Sequence, residues 1–503
     1  MNTNPLFWLL ITPMVCSVIV YIAGRIFARS DDETKANPAV WFCVASILIT
    51  WIPFILTVIT FEKSGPVSIP ISDLTLTFDS ISLIITGSVL TLGLAAAIFS
   101  CHYIEAEEGE EKFYGLFMIL ITAIIGLSTS TDLFNTYIWF ELMATSTYAL
   151  VGFYNKQPTS MEAAIKYLVQ SAVGSALIIL GIAITFGTTG EIGFAKIRSA
   201  ATPSSIALYA AAACIFTGYG IKCAFVPMHS WLPDAHSQAT SSVSAMLSGV
   251  VVETALTALL RCVGPISHIG APIGLALLIF GVLNLIVGNL GALNQKEIKR
   301  MLAFSSISHI GYIAIGIGCA LTFSESKGAA SGAMFHIFNH AMMKGLAFLS
   351  AGAFIYILKL RKGDHSALML DDINGASQKY PFLTFFFSIA LLALGGLPPF
   401  SGFMSKWEIF SGGAASNNPW IIALMIFAGM NSVLSLGYYA PIVNHMYRHE
   451  QSDIVKSSSK EVPTSLYISL LLLTLFIVIL GIAPFLISSL TTQAGDTLVY
   501  LFK

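Results

Sequence analysis

Residues 225–234 read Phe225-Val-Pro-Met-His-Ser-Trp-Leu-Pro-Asp234 and follow directly on an apolar run at 205–226. Proline lacks a backbone N–H and clashes with the preceding helical turn, so this stretch interrupts a helix long enough to cross a membrane. A second interruption, Gly395-Gly-Leu-Pro-Pro-Phe-Ser-Gly402, lies in the apolar run at 381–413. Breaks inside a membrane are tolerated where protein or water surrounds the freed backbone groups, so both stretches predict functional interruptions.

The composition places these stretches in a membrane protein. Of the 503 residues, 55% are hydrophobic and 10% are charged, and the mean hydropathy is +0.79. A soluble domain needs far more charge on its surface, and no polar block here is long enough to fold separately. We therefore expect a single membrane domain over 1–503. The net charge of −2 gives no sign of a nucleic-acid partner.

Apolar runs of about 20 residues, the length that crosses a bilayer, recur along the whole chain. They predict an all-α integral membrane protein of about fourteen transmembrane helices. Alternating polar and apolar residues at 66–78 predict a short β-hairpin between two of them. The predicted spans, numbered 1 to 14, are 6–28, 39–61, 79–103, 113–131, 133–153, 161–187, 205–226, 240–262, 266–291, 301–322, 329–358, 381–413, 419–445 and 464–490.

Basic residues fall mostly on one side of these spans. The loops after odd-numbered spans carry fifteen lysines and arginines, and the other side carries six. Cytoplasmic loops are enriched in lysine and arginine, so we expect a multi-pass protein of the cell inner (cytoplasmic) membrane with both termini on the extracytoplasmic side. Four of the 25 basic residues lie within or at the ends of spans: Lys166, Lys222, Lys344 and Lys406.

The two proline breaks also indicate an internal repeat. Pro227 and Pro398 are 171 residues apart, and at nearly the same offset the helical stretch 164–181 falls on 334–351. A repeat of five helices reverses its orientation in the membrane, and inverted repeats with broken helices are typical of transporters. We therefore expect two inverted five-helix repeats with broken helices 7 and 12. The predicted organisation is N-terminal helices 1–3 at 1–110, a first repeat (helices 4–8) at 111–262, a second repeat (helices 9–13) at 263–447, and a C-terminal helix 14 at 448–503.

Ionisable residues inside the spans are the candidates for function, because a charge at mid-bilayer costs about 2.5–3.5 kcal/mol and needs a reason. Two lysines lie beside the proline breaks, and three residues at 336, 340 and 344 recur every four positions on one helix. A buried carboxyl and amine shift each other's proton affinity, so such a set can exchange protons stepwise. The candidate residues are Glu141, Lys222, Glu253, His309, His340, Lys344 and Lys406.

Structural roles compete with this interpretation. Buried glutamates and lysines also form structural ion pairs, and His309 also fits a hydrogen-bonded core position. His229, Asp234 and His236 flank the first break, where we expect them to cap it, and the glutamates at 105–111 fit a solvated loop. The seven cysteines lie singly, with no C-x-x-C pair, so we expect no disulfide, metal or iron–sulfur cofactor.

Five stretches resemble one family of membrane proteins, the antiporter-like, proton-translocating subunits shared by respiratory complex I, Mrp-type sodium/proton antiporters and membrane-bound hydrogenases. Together they cover most of 110–410. They are Trp139-Phe-Glu-Leu-Met, Pro227-Met-His-Ser-Trp-Leu-Pro-Asp-Ala-His-Ser-Gln-Ala239, Lys299-Arg-Met-Leu-Ala-Phe-Ser-Ser-Ile-Ser-His-Ile-Gly-Tyr312, Phe338-Asn-His-Ala-Met-Met-Lys-Gly345 and Gly396-Leu-Pro-Pro-Phe-Ser-Gly-Phe-Met-Ser-Lys406.

The resemblance implies roles for the candidate residues. Glu141 matches the family's helix 5 glutamate, Lys222 its helix 7 lysine, and Lys406 the helix 12 residue that ends the proton route. The remaining candidates on spans 10 and 11 match polar positions along the central axis. Glu253 departs from the family, which usually has lysine in helix 8, so the middle of the route and the ion it favours stay open.

The resemblance also implies partners. We expect a subunit of a multisubunit membrane complex that moves protons, with sodium as the alternative ion. Its partners would be other membrane subunits, together with iron–sulfur or flavin peripheral subunits. The chain would carry no redox centre of its own and would be the ion-pumping part of an oxidoreductase or of an Mrp-type antiporter. Two alternatives are a stand-alone secondary transporter for a small solute and a passive membrane scaffold.

Overall fold

Helices make up most of the computed structural model, which describes residues 4–27, 38–71, 74–105, 107–202, 205–267 and 272–502. Two strands, β1 Val67–Ile71 and β2 Leu74–Phe78, pair antiparallel and confirm the predicted hairpin. The helices are α1 Pro5–Phe27, α2 Ala39–Ser64, α3 Ser80–Tyr103, α4 Glu110–Thr129, α5 Leu133–Val151, α6 Pro158–Thr189, α7 Phe194–Ala200, α8 Ile206–Lys222, α9 Trp231–Gln238, α10 Ser241–Ser267, α11 Ile273–Leu293, α12 Ile298–Thr322, α13 Lys327–Leu358, α14 Pro381–Gly395, α15 Ser401–Ala414, α16 Pro419–Met446, α17 Asp453–Ser457, α18 Thr464–Ile482 and α19 Phe485–Tyr500.

The predicted all-α membrane fold is confirmed. Eleven of the described helices are long and apolar enough to cross a membrane. Two further apolar helices, α8 and α14, are shorter because each ends at one of the two breaks. The total of fourteen spans and the inverted repeat stay predictions. The equal lengths of α6 and α13, both 32 residues, fit that repeat.

Three helices form the centre of the bundle. α10, α12 and α13 are buried along almost their whole length, whereas α1, α2, α6 and α16 keep many large apolar side chains on the outside. Small residues bring the central helices together: a Cβ atom added at Gly249 would lie 3.1 Å from the backbone of Ala341. Such close approach is how membrane helices gain packing contacts without a hydrophobic driving force. Polar side chains on these three helices therefore face protein rather than lipid.

The first break separates α8 from α9, and a neighbouring helix supplies its missing hydrogen bonds. The Asn284 side chain on α11 accepts from the Val226 N–H at 2.8 Å and donates to the Ala224 carbonyl at 3.3 Å. Irregular backbone at membrane depth is tolerated only with partners of this kind. The Trp231 ring, at the start of α9, donates to the Ile221 carbonyl at 2.8 Å. The two halves of predicted helix 7 are thus fixed relative to each other.

The second break separates α14 from α15. Gly396 has φ +80°, a left-handed conformation that ends α14 without the steric penalty of a side chain. Asn339 of α13 donates to the Ser401 carbonyl at 3.1 Å, and Gly481 of α18 packs so closely that an added Cβ would meet the Pro399 carbonyl at 2.1 Å. The start of α15 is therefore held from two sides.

Charged residues near the membrane surfaces follow the prediction only in part. The expected solvated loop of glutamates is wrong for Glu110 and Glu111, which are buried at the start of α4, and Glu111 lies 3.5 Å from Arg25. The error arose because a glutamate in the first turn of a helix is stabilised there by the helix dipole and can pack inward. The basic residues Arg29, Lys35 and Lys503, which were counted for the orientation, lie outside the described residues.

Candidate functional site

Helix α13 carries a line of three fully buried ionisable residues, His336, His340 and Lys344. Their spacing of four places them on one face, as the sequence predicts. The Lys344 ammonium donates to the Leu302 carbonyl at 2.9 Å and to the Ser305 hydroxyl, both on α12. The lysine is thus held by hydrogen bonds alone, and no carboxylate within the described residues pairs with it.

Glu253 of α10 meets His340 of α13. Its Oε1 atom lies 2.6 Å from His340 Nδ1, and both side chains are almost completely buried. The other carboxylate oxygen and His340 Nε2 have no hydrogen-bond partner among the described residues. Glu253 follows a π-helical segment, Leu247–Val251, an irregularity that is frequent at functional sites. The pair therefore has one strong internal contact, and one polar atom on each residue remains free to exchange a proton with another group.

Three further groups continue the line towards the second break. His309 Nδ1 of α12 lies 2.9 Å from His336 Nε2, and the two rings stack with centroids 5.2 Å apart. His336 Nδ1 in turn lies 2.9 Å from the Ser405 hydroxyl of α15. A neutral imidazole carries one N–H, so His336 donates on one side and accepts on the other. The two hydrogen bonds of His336 can reverse their direction. When they do, the ring gives up one proton and takes another, so a proton moves along the line.

Lys406 ends the line. Its ammonium donates to the Leu394 carbonyl and the Ser432 hydroxyl, each at 2.8 Å, and lies 4.8 Å from the centre of the Tyr312 ring. The carbonyl is available because α14 ends at the following residue, so no later turn uses it. The break therefore provides the solvation that an ammonium needs inside the bundle. We call the set Lys344, Glu253, His340, His309, His336, Ser405 and Lys406 the central chain.

Lys222 lies in a separate place, at the end of α8. Its ammonium donates to the Thr147 hydroxyl at 3.1 Å and to the Tyr167 hydroxyl, and it lies 4.3 Å from the centre of the Tyr167 ring. That ring stacks on Trp231 at 4.1 Å. Aromatic faces and hydroxyl groups stabilise a buried cation without neutralising it.

Glu141 is not in direct contact with Lys222. It lies on a partly exposed face of α5 beside Tyr137, and its Oε1 atom has no hydrogen-bond partner in the described part of the chain. Its charge acts on Lys222 through space, but no ion pair or hydrogen bond between the two occurs within the described residues. The structure thus brings five of the seven predicted residues into the central chain and leaves this pair apart.

Several residues of the site were missed or misassigned from the sequence. His336 is not among the seven predicted residues, although its four-residue spacing from His340 already indicated it. The expectation that Asp234 and His236 cap the first break is wrong. Asp234 pairs with Lys166 at 3.2 Å and Arg300 at 2.9 Å, and neither nitrogen of His236 forms a hydrogen bond with a described residue. Contacts with distant helices decide where both side chains lie, and the local sequence does not show such contacts.

The chain matches a known family of membrane proteins over more than half of its length. The model of the family described as NADH:quinone oxidoreductase/Mrp antiporter, TM, matches residues 130–434. The chain belongs to this family. The resemblance inferred from five short stretches is confirmed, and the matched segment contains all seven candidate residues and both breaks.

Relatives within this family match most of the chain. F(420)H(2) dehydrogenase subunit N of Methanosarcina mazei is 28% identical over 431 residues, which cover 84% of this chain and 85% of the relative. NADH-quinone oxidoreductase subunit N 2 of Solibacter usitatus is 32% identical over 382 residues and 75% of each chain. Among solved structures, a chain of the membrane-bound sulfane sulfur reductase, an archaeal respiratory membrane complex, superposes with a TM-score of 0.87 at 25% identity, over 99% of this chain and 98% of that one.

The pair of Glu253 and His340 gives a first prediction. Glu253→Gln keeps the size and the hydrogen bond to His340 but cannot carry a proton, so we expect proton uptake by vesicles with the assembled complex to fall about tenfold. Glu253→Lys restores the residue usual in the family and keeps an ionisable group beside His340, so we expect a smaller loss. A purely structural glutamate would give the reverse order, with glutamine mild and lysine severe, and both variants measured in one assay decide between the two roles.

Proposed function

We propose that this chain moves protons across the membrane as the antiporter-like subunit of a multisubunit complex. The observation that carries the proposal is the central chain, in which buried ionisable groups on four helices follow one another from Lys344 to Lys406. Intramembrane ionisable residues that face the bundle interior are the usual elements of proton relays. The family, and relatives that are subunits of respiratory enzymes, support the same function.

The chemistry of the relay follows from its contacts. In the proposed relay, water carries a proton from Lys344 to the pair of His340 and Glu253, whose free Nε2 and Oε2 atoms can accept it. The His340 and His309 ring centroids lie 5.0 Å apart, so a small ring movement brings their nitrogens together. From His309 the proton crosses His336 to the Ser405 hydroxyl, each transfer breaking one N–H or O–H bond and forming the next. Lys406 is the next residue of the chain, and water carries the proton from Ser405 to its amine.

The driving energy comes from partners in this proposal. The chain belongs to a complex with other membrane subunits, as its relatives do, and we propose that iron–sulfur or flavin subunits supply the redox reaction. The proposed location is the cytoplasmic membrane, with both termini outside, because the basic loops would then face the cytoplasm. Protons are the proposed ion, since the central chain offers imidazoles and amines rather than the oxygen cluster that sodium requires.

Glu141 and Lys222 provide the test. We expect Glu141→Ala and Lys222→Ala each to lower proton translocation by inverted vesicles about 100-fold while the complex assembles, because we propose that this pair, although apart from the central chain, also changes charge during transfer. The matched controls are Glu62→Ala and Lys63→Ala, at the exposed end of α2, which should transport like the parent. Full translocation by either test variant at normal protein level contradicts the proposal. A passive scaffold would give that result for both.

A further inference from the structure

His236 of α9 is a buried histidine that the central chain does not use. Its side chain is fully buried and stacks on Phe348 of α13, with ring centroids 4.7 Å apart. Neither ring nitrogen has a hydrogen-bond partner among the described residues. A buried polar atom without a partner costs about 1–3 kcal/mol, so an apolar residue would be more stable at this position. The ring on which it stacks, Phe348, is itself an aromatic side chain without polar atoms.

Two buried lysines lie near this histidine. Lys344 precedes Phe348, the ring on which His236 stacks, by one turn of α13. The Lys299 ammonium of α12 donates to the Ser237 carbonyl at 3.3 Å and to the Ala239 carbonyl, which fixes it beside the end of α9. His236 therefore has a lysine outside the central chain on its α12 side and the first lysine of that chain on its α13 side.

A small polar cavity adjoins Lys299. It has a volume of about 40 Å³, and Lys299, Gln157, Tyr103 and His365 are among its lining residues. This volume has room for roughly two or three water molecules. The cavity lies among the loops that follow α5 and α13, which the distribution of basic residues predicts to face the cytoplasm. It therefore connects the cytoplasmic surface with the buried lysine.

His365, which lines this cavity, lies beside a carboxyl group that can hold a proton. His365 Nε2 lies 3.9 Å from Glu107 Oε1, and both side chains are partly exposed. The His365 ring contacts Tyr154 edge-on, with ring centroids 5.0 Å apart. Burial raises the pKa of Glu107, while the nearby His365 and Lys156 oppose this shift. A carboxyl with a raised pKa holds a proton more readily near neutral pH.

We propose that Lys299 and His236 form a proton-uptake branch that leads from the cytoplasmic cavity to Lys344. The Lys299 ammonium gives a proton to one ring nitrogen of His236. The resulting amine recovers a proton that cavity water relays from the outer medium, which breaks one O–H bond and forms one N–H bond. The imidazolium then releases the proton on its other nitrogen to the neutral amine of Lys344, which breaks one N–H bond and forms another, so the charge is conserved. The branch rests on the proposed function, because it supplies the proton that the central chain passes on.

The test is His236→Phe in inverted vesicles, whose outer medium contacts the cytoplasmic face. We expect proton uptake roughly tenfold slower than in the parent, because phenylalanine keeps the stack on Phe348 but carries no proton. Uptake limited by proton arrival should also rise about tenfold per unit decrease in outer pH, which a structural defect would not produce. His236→Gln keeps a polar side chain that cannot carry a proton, so we expect the same slower uptake as for His236→Phe. It takes the place of His236→Phe if that variant does not assemble.

Two controls separate the possible failures. His102→Phe removes a partly buried histidine that hydrogen-bonds to Ser465 at 2.8 Å and is not among the residues that line the cavity, and it should transport like the parent. Lys344→Ala should be inactive at every outer pH. If both His236 variants take up protons like the parent while Lys344→Ala is inactive, the uptake branch is wrong but the proposed function stands. The same conclusion follows if uptake by the His236 variants is lower than in the parent but does not depend on the outer pH. Parental uptake in Lys344→Ala as well contradicts the proposed function itself.

Discussion

Lys406→Ala is expected to abolish proton translocation while the complex still assembles. Lys406 ends the central chain, and its ammonium is held by a carbonyl that α14 leaves free and by the Ser432 hydroxyl. Alanine removes the final proton carrier. Among the described residues, His336 is the one ionisable side chain that hydrogen-bonds to the Ser405 hydroxyl, so no second group is in place to take over from Lys406. Loss of a positioned proton-transfer group costs roughly 100- to 10,000-fold, so the remaining rate should be close to the background leak of the vesicles.

Lys406→Arg separates charge from proton transfer at the same site. Arginine keeps a cation that can donate to the Leu394 carbonyl and lie over the Tyr312 ring, but it does not lose its proton in proteins. We expect Lys406→Arg to translocate little better than Lys406→Ala, because the positive charge stays at the break but no proton leaves the guanidinium. The control is Lys327→Ala, an exposed lysine at the start of α13. If both Lys406 variants transport like the parent, Lys406 only anchors the end of the helix.

The helices and both breaks could be predicted from the sequence because their causes are local. A bilayer requires about 20 apolar residues, and proline removes a backbone donor and disfavours the helix around it. Proline alone does not decide a break, since Pro13, Pro53 and Pro441 lie inside continuous helices. The buried lysines were also predictable, since a charge inside an apolar run needs a partner. The hairpin at Val67–Phe78 followed from strict alternation of polar and apolar residues.

Partners across the bundle could not be predicted. Glu253 and His340 are 87 residues apart, and only the packing of α10 on α13 brings them together. The sequence singled out both residues but did not indicate that they form a pair. Within the described residues, the ammonium of Lys222 likewise lies against Tyr167 and Trp231 rather than on a carboxylate. Such choices depend on helix rotation, which hydropathy alone leaves undetermined.

The central claim is that the groups between Lys344 and Lys406 act in series. His336 is the link that tests it, because both of its ring nitrogens are engaged, one with His309 and one with Ser405. His336→Phe removes this link and leaves both lysines in place. In a serial route the loss of one link stops the whole flow, so we expect a decrease of about 100-fold or more.

The decisive measurement is proton translocation per turnover of the complex in inverted vesicles carrying His336→Phe. His445→Phe, which changes a histidine in the last turn of α16, is the matched control and should translocate like the parent. The proposed route predicts that His336→Phe complexes assemble in normal amount and translocate as few protons as Lys406→Ala complexes. Normal translocation by assembled His336→Phe complexes would contradict it, since protons would then pass from Lys344 to the outside without the histidine chain.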